Sequence, residues 1–311
     1  MDIGLMVEGQ NGLTWERWRH ILRLAERLGF PTLFRSDHYF IGRQQSSIDA
    51  FLSFAVAALE TSRIRFGPLV TPVTFRSPVD VGRMAAQLHG LSGGRFTLGV
   101  GAGWNEPEHR AYGIAFPAVK ERMDRLEEGI HVIKALWADG PQSYQGQYYH
   151  LVEADCLPKP AGHLPLVIGG MGELRTLKLV AEHADEWSSV NLTPDLFAEK
   201  SAVLAKHCAV AGRDPATIRK SMMLFGFVGP DDATVEGLLR RFFNVEGATT
   251  AELHARAAER RMFAGTTQQL LDYLGALAAR GMQEVQLQHL EFDDDSLPEY
   301  LAAEIAPRMR G

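Results

Sequence analysis

At 311 residues and 46% apolar content, the chain can bury a large core and fits either one large α/β domain or two ordinary ones. Its formal charge of −6 comes from 32 basic and 38 acidic residues spread along the chain, so it lacks the basic blocks of a nucleic-acid-binding or membrane-surface protein, and a small-molecule partner is expected. No uncharged run approaches the ~20 apolar residues of a membrane helix, the N-terminus reads as neither signal peptide nor lipidation site, and Cys156 and Cys208 form no CxxC pair, so a cytoplasmic protein with two buried thiols is expected.

DIGLMV (2–7) predicts a strand, and TWERWRHILRLAERLG (14–29) an amphipathic helix with Thr14 as its N-cap and Gly29 just past its end. TLFRSDH (32–38) predicts the next strand and DAFLSFAVAALE (49–60) an apolar helix. RIRFGPLVTPV (63–73) reads as a third strand, yet it holds Gly67, Pro68 and Pro72. Proline cannot donate to a sheet ladder, so a bulge or an unusual peptide geometry is expected there. A helix over 78–92 leads to the strand RFTLGVG (95–101), and ERMDRLEEGIHVIKALWADG (121–140) is a further helix. The polar and aromatic stretch 144–160 reads as an insertion before the strand PLVIGG (165–170) and the helix ELRTLKLVAEHA (173–184). DEWSSVN, PDLFAEKSAVLAKHCAV and IRKSMMLFGFVG continue the alternation, 231–265 is less regular, and TTQQLLDYLGALAARG and QEVQLQHL complete eight strand–helix units. With no linker or composition shift to divide them, these units fit an α/β fold, a single (β/α)8 TIM barrel with insertion segments spanning 1–311; a doubly wound open sheet is the alternative.

In such a barrel the chemistry sits on loops leaving the C-terminal ends of the strands. Arg35-Ser36-Asp37-His38 end the second strand, and His38 with its neighbouring carboxylate Asp37 suits a general acid or base near neutral pH. After the fourth strand Gly99, Gly101 and Gly103 are spaced two apart; this is not GxGxxG, and Pro107 stands where a phosphate-binding helix would already run. Two readings remain: bare backbone that lets a flat ring approach with Trp104 walling the cavity, or a strand passing close to its neighbours under a capping Trp. GGMGE (169–173) runs from strand into helix, which fits either a phosphate site at the helix start, with Glu173 turned away, or an ordinary glycine-rich turn. Glu106, Glu108 and His109 lack metal-ligand spacing and read as a solvated loop.

Taken together, RSDH, GPLVTPVTFRSP, GGRFTLGVGAGWNEPEHRAYG and PLVIGGMGELRTLKLVAEHADEW resemble the bacterial luciferase-like superfamily of flavin and deazaflavin oxidoreductases over nearly the whole chain, most closely its coenzyme F-420 branch. The resemblance implies a coenzyme ring over the barrel mouth, backed by a non-prolyl cis peptide at Leu69–Val70 or Val70–Thr71, so that Leu69, Val70 and Thr71 become cofactor contacts. It implies that Gly101, Ala102, Gly103 and Trp104, with Gly169, Gly170, Met171 and Gly172, line the ribityl and phosphate portions. His38 would contact ring or substrate and shuttle the proton that accompanies hydride transfer. Members that oxidise a sugar phosphate carry a glutamate proton donor where Trp104 stands here, and a flat aromatic in that slot suggests an apolar or planar substrate. For the acidic tail of F-420, Arg43, Arg175 and Lys178 are candidate contacts. The resemblance also implies a homodimer. The alternative it leaves is an FMN-dependent monooxygenase fed by a partner reductase, and a third reading is a flavin-binding protein without turnover.

Overall fold

The computed structural model describes residues 1–42 and 46–310, so Arg43 lies outside the described residues. The first half of the chain runs β1 (Asp2–Val7), α1 (Trp15–Leu28), β2 (Thr32–Arg35), α2 (Ala50–Glu60), β3 (Arg65–Pro68), β4 (Thr71–Pro72), α3 (Pro78–Leu91), β5 (Leu98–Gly101), α4 (Glu106–Ala111) and α5 (Val119–Trp137). The insertion is an antiparallel hairpin, β6 (Gln142–Gln145) and β7 (His150–Ala154). The chain then continues through β8 (Leu166–Gly169), α6 (Thr176–His183), β9 (Glu186–Val190), α7 (Pro194–Ala211) and β10 (Arg219–Leu224). It ends with β11 (Gly226–Gly229), α8 (Asp232–Phe243), α9 (Thr250–Glu259), β12 (Phe263–Thr266), α10 (Thr267–Ala279), β13 (Glu284–His289) and short helical turns.

The main sheet is parallel, in the order β3-β2-β1-β13-β10-β9-β8-β5-β4. Its two ends belong to one strand: β3 pairs with β2, β4 pairs with β5, and between them the Leu69–Val70 peptide is cis, at the first of the two expected positions. Phe66 N–H donates to the Arg95 carbonyl at 3.2 Å and the Phe66 carbonyl accepts from Thr97 N–H at 2.9 Å, which completes the seam. The sheet is therefore a closed (β/α)8 barrel, with the Pro- and Gly-rich third strand split to pair on both sides.

Local signals position these elements. The Thr14 side chain accepts from Arg17 N–H, and Gly29 closes α1 in the left-handed conformation. Three segments differ from expectation. Residues 231–265 contain two helices, capped by Asp231 and by a Thr249/Glu252 capping box, whose Val235, Leu239, Leu253 and Ala257 form a small core of their own. IRKSMMLFGFVG divides at Phe225: β10 stays in the barrel, while β11 leaves it to pair with β12. The helix expected from residue 173 starts at Thr176, after a turn over 173–175. Both cysteines are buried free thiols, as expected, and among the described residues no helix is long and apolar enough to cross a membrane.

The barrel interior is layered. At the bottom, Glu186 and Glu284 are buried between Arg65 and Arg219, with Arg65 at 3.0 Å from Glu186 and 2.8 Å from Glu284. Burial pushes the Glu186 carboxyl upward, against the pull of Arg65. Above this cluster Met6, Phe34, Leu69 and Val167 form an apolar floor, and the space over that floor is the functional cavity.

His289, at the end of β13, is buried, and burial lowers its pKa from 6.5 to about 4. A depressed folded-state pKa means that stability is full above the unfolded value of 6.5 and is lost as pH falls towards 4. His183, lowered to about 4, acts in the same direction. For His289, urea unfolding at pH 5 is expected to show about 2 kcal/mol less stability than at pH 7, with a smaller loss from the less buried His183, and His289→Phe is expected to flatten its share of that slope. An unchanged slope in the variant would contradict the assignment.

Candidate active site

A cavity of about 600 Å³ opens at the C-terminal ends of the strands. Leu69 and Val70 form one wall, and the bare backbone of Gly101–Gly103 and Gly169–Gly170 lies beside them. A Cβ at Gly101 would stand 2.6 Å from Val70 Cγ2, one at Gly169 would stand 2.8 Å from Val70 Cγ1, and one at Gly99 would collide with the Pro68 carbonyl. The two-residue spacing of the glycines follows from strand alternation, which turns positions 99 and 101 to the same face. Their bareness admits Pro68 and Val70, so the close approach is made by the neighbouring strand, while Gly101 and Gly103 also line the cavity.

His38 stands on the rim. Its Nδ1 lies 2.8 Å from Glu108 Oε1, while Glu108 Oε2 accepts from Tyr39 N–H at 2.9 Å. A carboxylate only accepts, so the shared proton sits on His38 Nδ1 and Nε2 is left for the cavity. Trp104 meets His38 edge to face with ring centroids 5.5 Å apart, and is 65% exposed. The segment expected to be a solvated loop is thus corrected: α4 buries both Glu108 and His109 completely. His109 bridges the Asn105 carbonyl at 2.8 Å and Thr74 Oγ1 at 2.7 Å, fixing α4 to the loop after β4. Asn105 followed by Pro107 at a helix start was the readable signal, since both groups lie one turn further on.

Asp37 is placed differently from the expectation. Its carboxylate accepts from Thr71 Oγ1 at 2.7 Å and from Arg76 at 2.5 and 3.2 Å, and Arg76 also binds Asp49 at 2.9 Å. Asp37 and Thr71 are buried outside the cavity lining, because this ion pair draws them behind the wall; the carboxylate that serves His38 is Glu108. Met171 and Gly172 also lie outside the lining, Met171 against the core and Gly172 against Thr176, whereas Thr176 itself reaches the cavity. Glu173 turns outward to Lys200 at 2.7 Å. Arg175 is occupied by Asp124 and Glu127, and Lys178 lies 3.7 Å from Glu182, so neither lines the cavity.

A polar network was not foreseen. Buried Glu8 accepts from Gln10 and from Gln288, both at 2.6 Å, and Ser36 Oγ donates to Gln10 at 2.6 Å while accepting from Gly9 N–H at 3.0 Å. All four side chains line the cavity, Glu8, Gln10 and Ser36 just beyond the ends of β1 and β2 and Gln288 near the end of β13. For Glu8 and Gln10, polarity directly after the apolar strand β1 was the available sign. Among the described residues no group of three or more His, Cys, Asp or Glu is arranged to hold a metal ion.

Residues 1–292 match the family described as luciferase-like monooxygenase. The chain belongs to that family. Among the relatives of this luciferase-like chain, an F420-dependent hydroxymycolic acid dehydrogenase of Mycobacterium tuberculosis is 33% identical over 213 residues, which is 67% of this chain and 58% of the relative. A pyrimidine monooxygenase of Cronobacter sakazakii is 30% identical over 175 residues, 54% of this chain and 50% of the relative. An F420-dependent secondary alcohol dehydrogenase, solved with an F420–acetone adduct, shares the luciferase-like fold at a TM-score of 0.81 and 23% identity, covering 100% of this chain and 99% of its own.

Proposed function

We propose that the chain is an oxidoreductase that binds coenzyme F-420 in the barrel-mouth cavity and transfers a hydride between it and a small organic substrate, with His38 as the proton partner. The observation that carries this reading is the rim dyad: His38 held through Nδ1 by a buried carboxylate, its Nε2 left for a cavity walled by Leu69 and Val70. The F420-dependent relative supports the choice of coenzyme.

The site fits such a ring. Its volume falls within the ~300–1,000 Å³ typical of cofactor pockets, and its bare glycine backbone leaves room for a flat edge. Once bound, the deazaflavin supplies the hydride donor or acceptor. The chain's own residues do the rest. Glu108 fixes the tautomer and aim of His38, whose Nε2 takes the proton from a substrate hydroxyl or returns it to a carbonyl. The Trp104 ring, edge to face with His38, adds an apolar surface to the rim, and the Met6, Phe34, Leu69 and Val167 floor closes the cavity from below.

The deciding experiment is absorbance and fluorescence titration of the purified protein with F-420 and, separately, with FMN. Perturbation of F-420 alone at low concentration is the expected result. FMN binding alone would replace this reading with flavin-dependent oxygenation, which the monooxygenase relative favours, and binding of neither would overturn both.

Trp104→Glu is expected to lower kcat/KM for apolar alcohols or ketones by about tenfold or more, with F-420 affinity little changed, because it replaces the flat face beside His38 with a charge. Substrate preference identical to that of the parent would remove Trp104 from specificity.

A further inference from the structure

A second cavity, of about 470 Å³, lies between β11, α8 and the segment that follows β13. It shares Asn11, Phe242, Gln288 and Leu290 with the barrel-mouth cavity, so the two meet along those side chains. Phe242 stands at the junction: its ring lies 5.3 Å from Phe225, which lines the first cavity, and 5.1 Å from Phe227, which lines the second. Beyond the junction Val228, Leu238 and Leu297 supply an aliphatic wall, and Thr234, Ser296 and Tyr300 add neutral polar groups to the lining.

The charged groups of this second cavity constrain its ligand. Its two carboxylates are already engaged, Glu291 by Arg241 at 3.4 Å and Asp294 by the Ser296 N–H at 2.9 Å. Among the described residues no Lys or Arg lines it, so nothing there offsets the desolvation of a carboxylate or phosphate. His289, its one imidazole, is neutral at pH 7. A sugar phosphate or an acyl carrier would lose hydration on entering without gaining a partner.

We infer that this second cavity holds the apolar chain of the substrate, and that the substrate class is a neutral alcohol or ketone carrying an alkyl tail, whose reacting carbon sits near His38 while its tail passes Phe242. The inference rests on the oxidoreductase reading for what happens at the reacting carbon, whereas the tail site stands on the shape and chemistry of the second cavity. Each methylene buried there is worth about fourfold in affinity.

The test is displacement of Nile red, a neutral dye that fluoresces in apolar surroundings, from the full chain by 2-alkanones running from butanone to decanone, with and without F-420. Inhibition constants are expected to fall by about fourfold per methylene and to level off once the cavity is full. Leu238→Trp, with Leu297→Phe as a second variant should the first fail to fold, narrows this cavity alone. Either is expected to abolish the chain-length slope while leaving butanone and F-420 binding near the parent values. A slope absent from the parent protein, a slope unchanged in a folded variant, or no Nile red binding at all would overturn the inference. F-420's own spectrum separates the two proposals: an unperturbed spectrum with the slope intact removes the coenzyme and keeps the tail site, and a perturbed spectrum without the slope does the reverse.

Discussion

Replacing His38 with alanine is expected to lower kcat by about 10²- to 10⁴-fold, the range of a positioned general acid or base, while F-420 affinity stays within a few fold. The separation follows from the geometry. His38 lies on the rim, whereas the cavity is shaped by Leu69, Val70 and the bare backbone after β5 and β8, none of which depends on the imidazole. Exogenous imidazole is expected to restore part of the lost turnover, a rescue that a purely structural histidine would not show. Glu108→Gln, which keeps an acceptor for Nδ1–H but removes the charge that stabilises the protonated ring, is expected to cost less, about tenfold. Undiminished turnover in His38→Ala would move the proton to another route and leave the rim dyad as a fold element.

The fold was largely legible because barrel strands and helices write themselves locally: Thr14 and Gly29 bound α1, and Pro68 and Pro72 marked the irregular strand. The failures have a common physical cause, which is that sequence adjacency does not fix direction. Asp37 sits next to His38 in the chain, yet Arg76 from the loop after β4 draws its carboxylate behind the wall. Glu108, seventy positions away from His38, reaches its ring through α4. Neither pairing is visible without the tertiary fold that supplies the partner. The 231–265 segment had its caps in plain view at Asp231 and Thr249 and an apolar stripe on each helix, at Val235 and Leu239 and at Leu253 and Ala257; what the sequence does not show is that these stripes close on each other in a small satellite core apart from the barrel. Glu8, Gln10, Ser36 and Gln288 become one network only when β1, β2 and β13 are neighbours in the barrel.

Gly101→Ala is expected to destabilise the protein by about 1–3 kcal/mol and to weaken F-420 binding by about tenfold or more. The added methyl would stand 2.6 Å from Val70 Cγ2, and a sideways shift of Val70 is blocked because its other methyl already fills the space over Gly169, the neighbour of Gly101 on β8, where a Cβ would stand 2.8 Å from Cγ1. Whatever gives way, the wall facing the coenzyme moves. Gly90→Ala, with open space around its Cβ position in α3, is the control and is expected to be neutral or to stabilise by about 0.5–1 kcal/mol. The decisive variant is the pair Gly101→Ala with Val70→Ala. If the cost is the collision, the second substitution removes it, and the double variant should recover about 0.5–3 kcal/mol relative to the sum of the singles in urea unfolding. Cofactor affinity should not recover with it, since Val70 is also the wall. Additive stabilities would mean that Gly101 is required for its backbone alone, and that the spacing of Gly99 and Gly101 records strand packing unrelated to Val70.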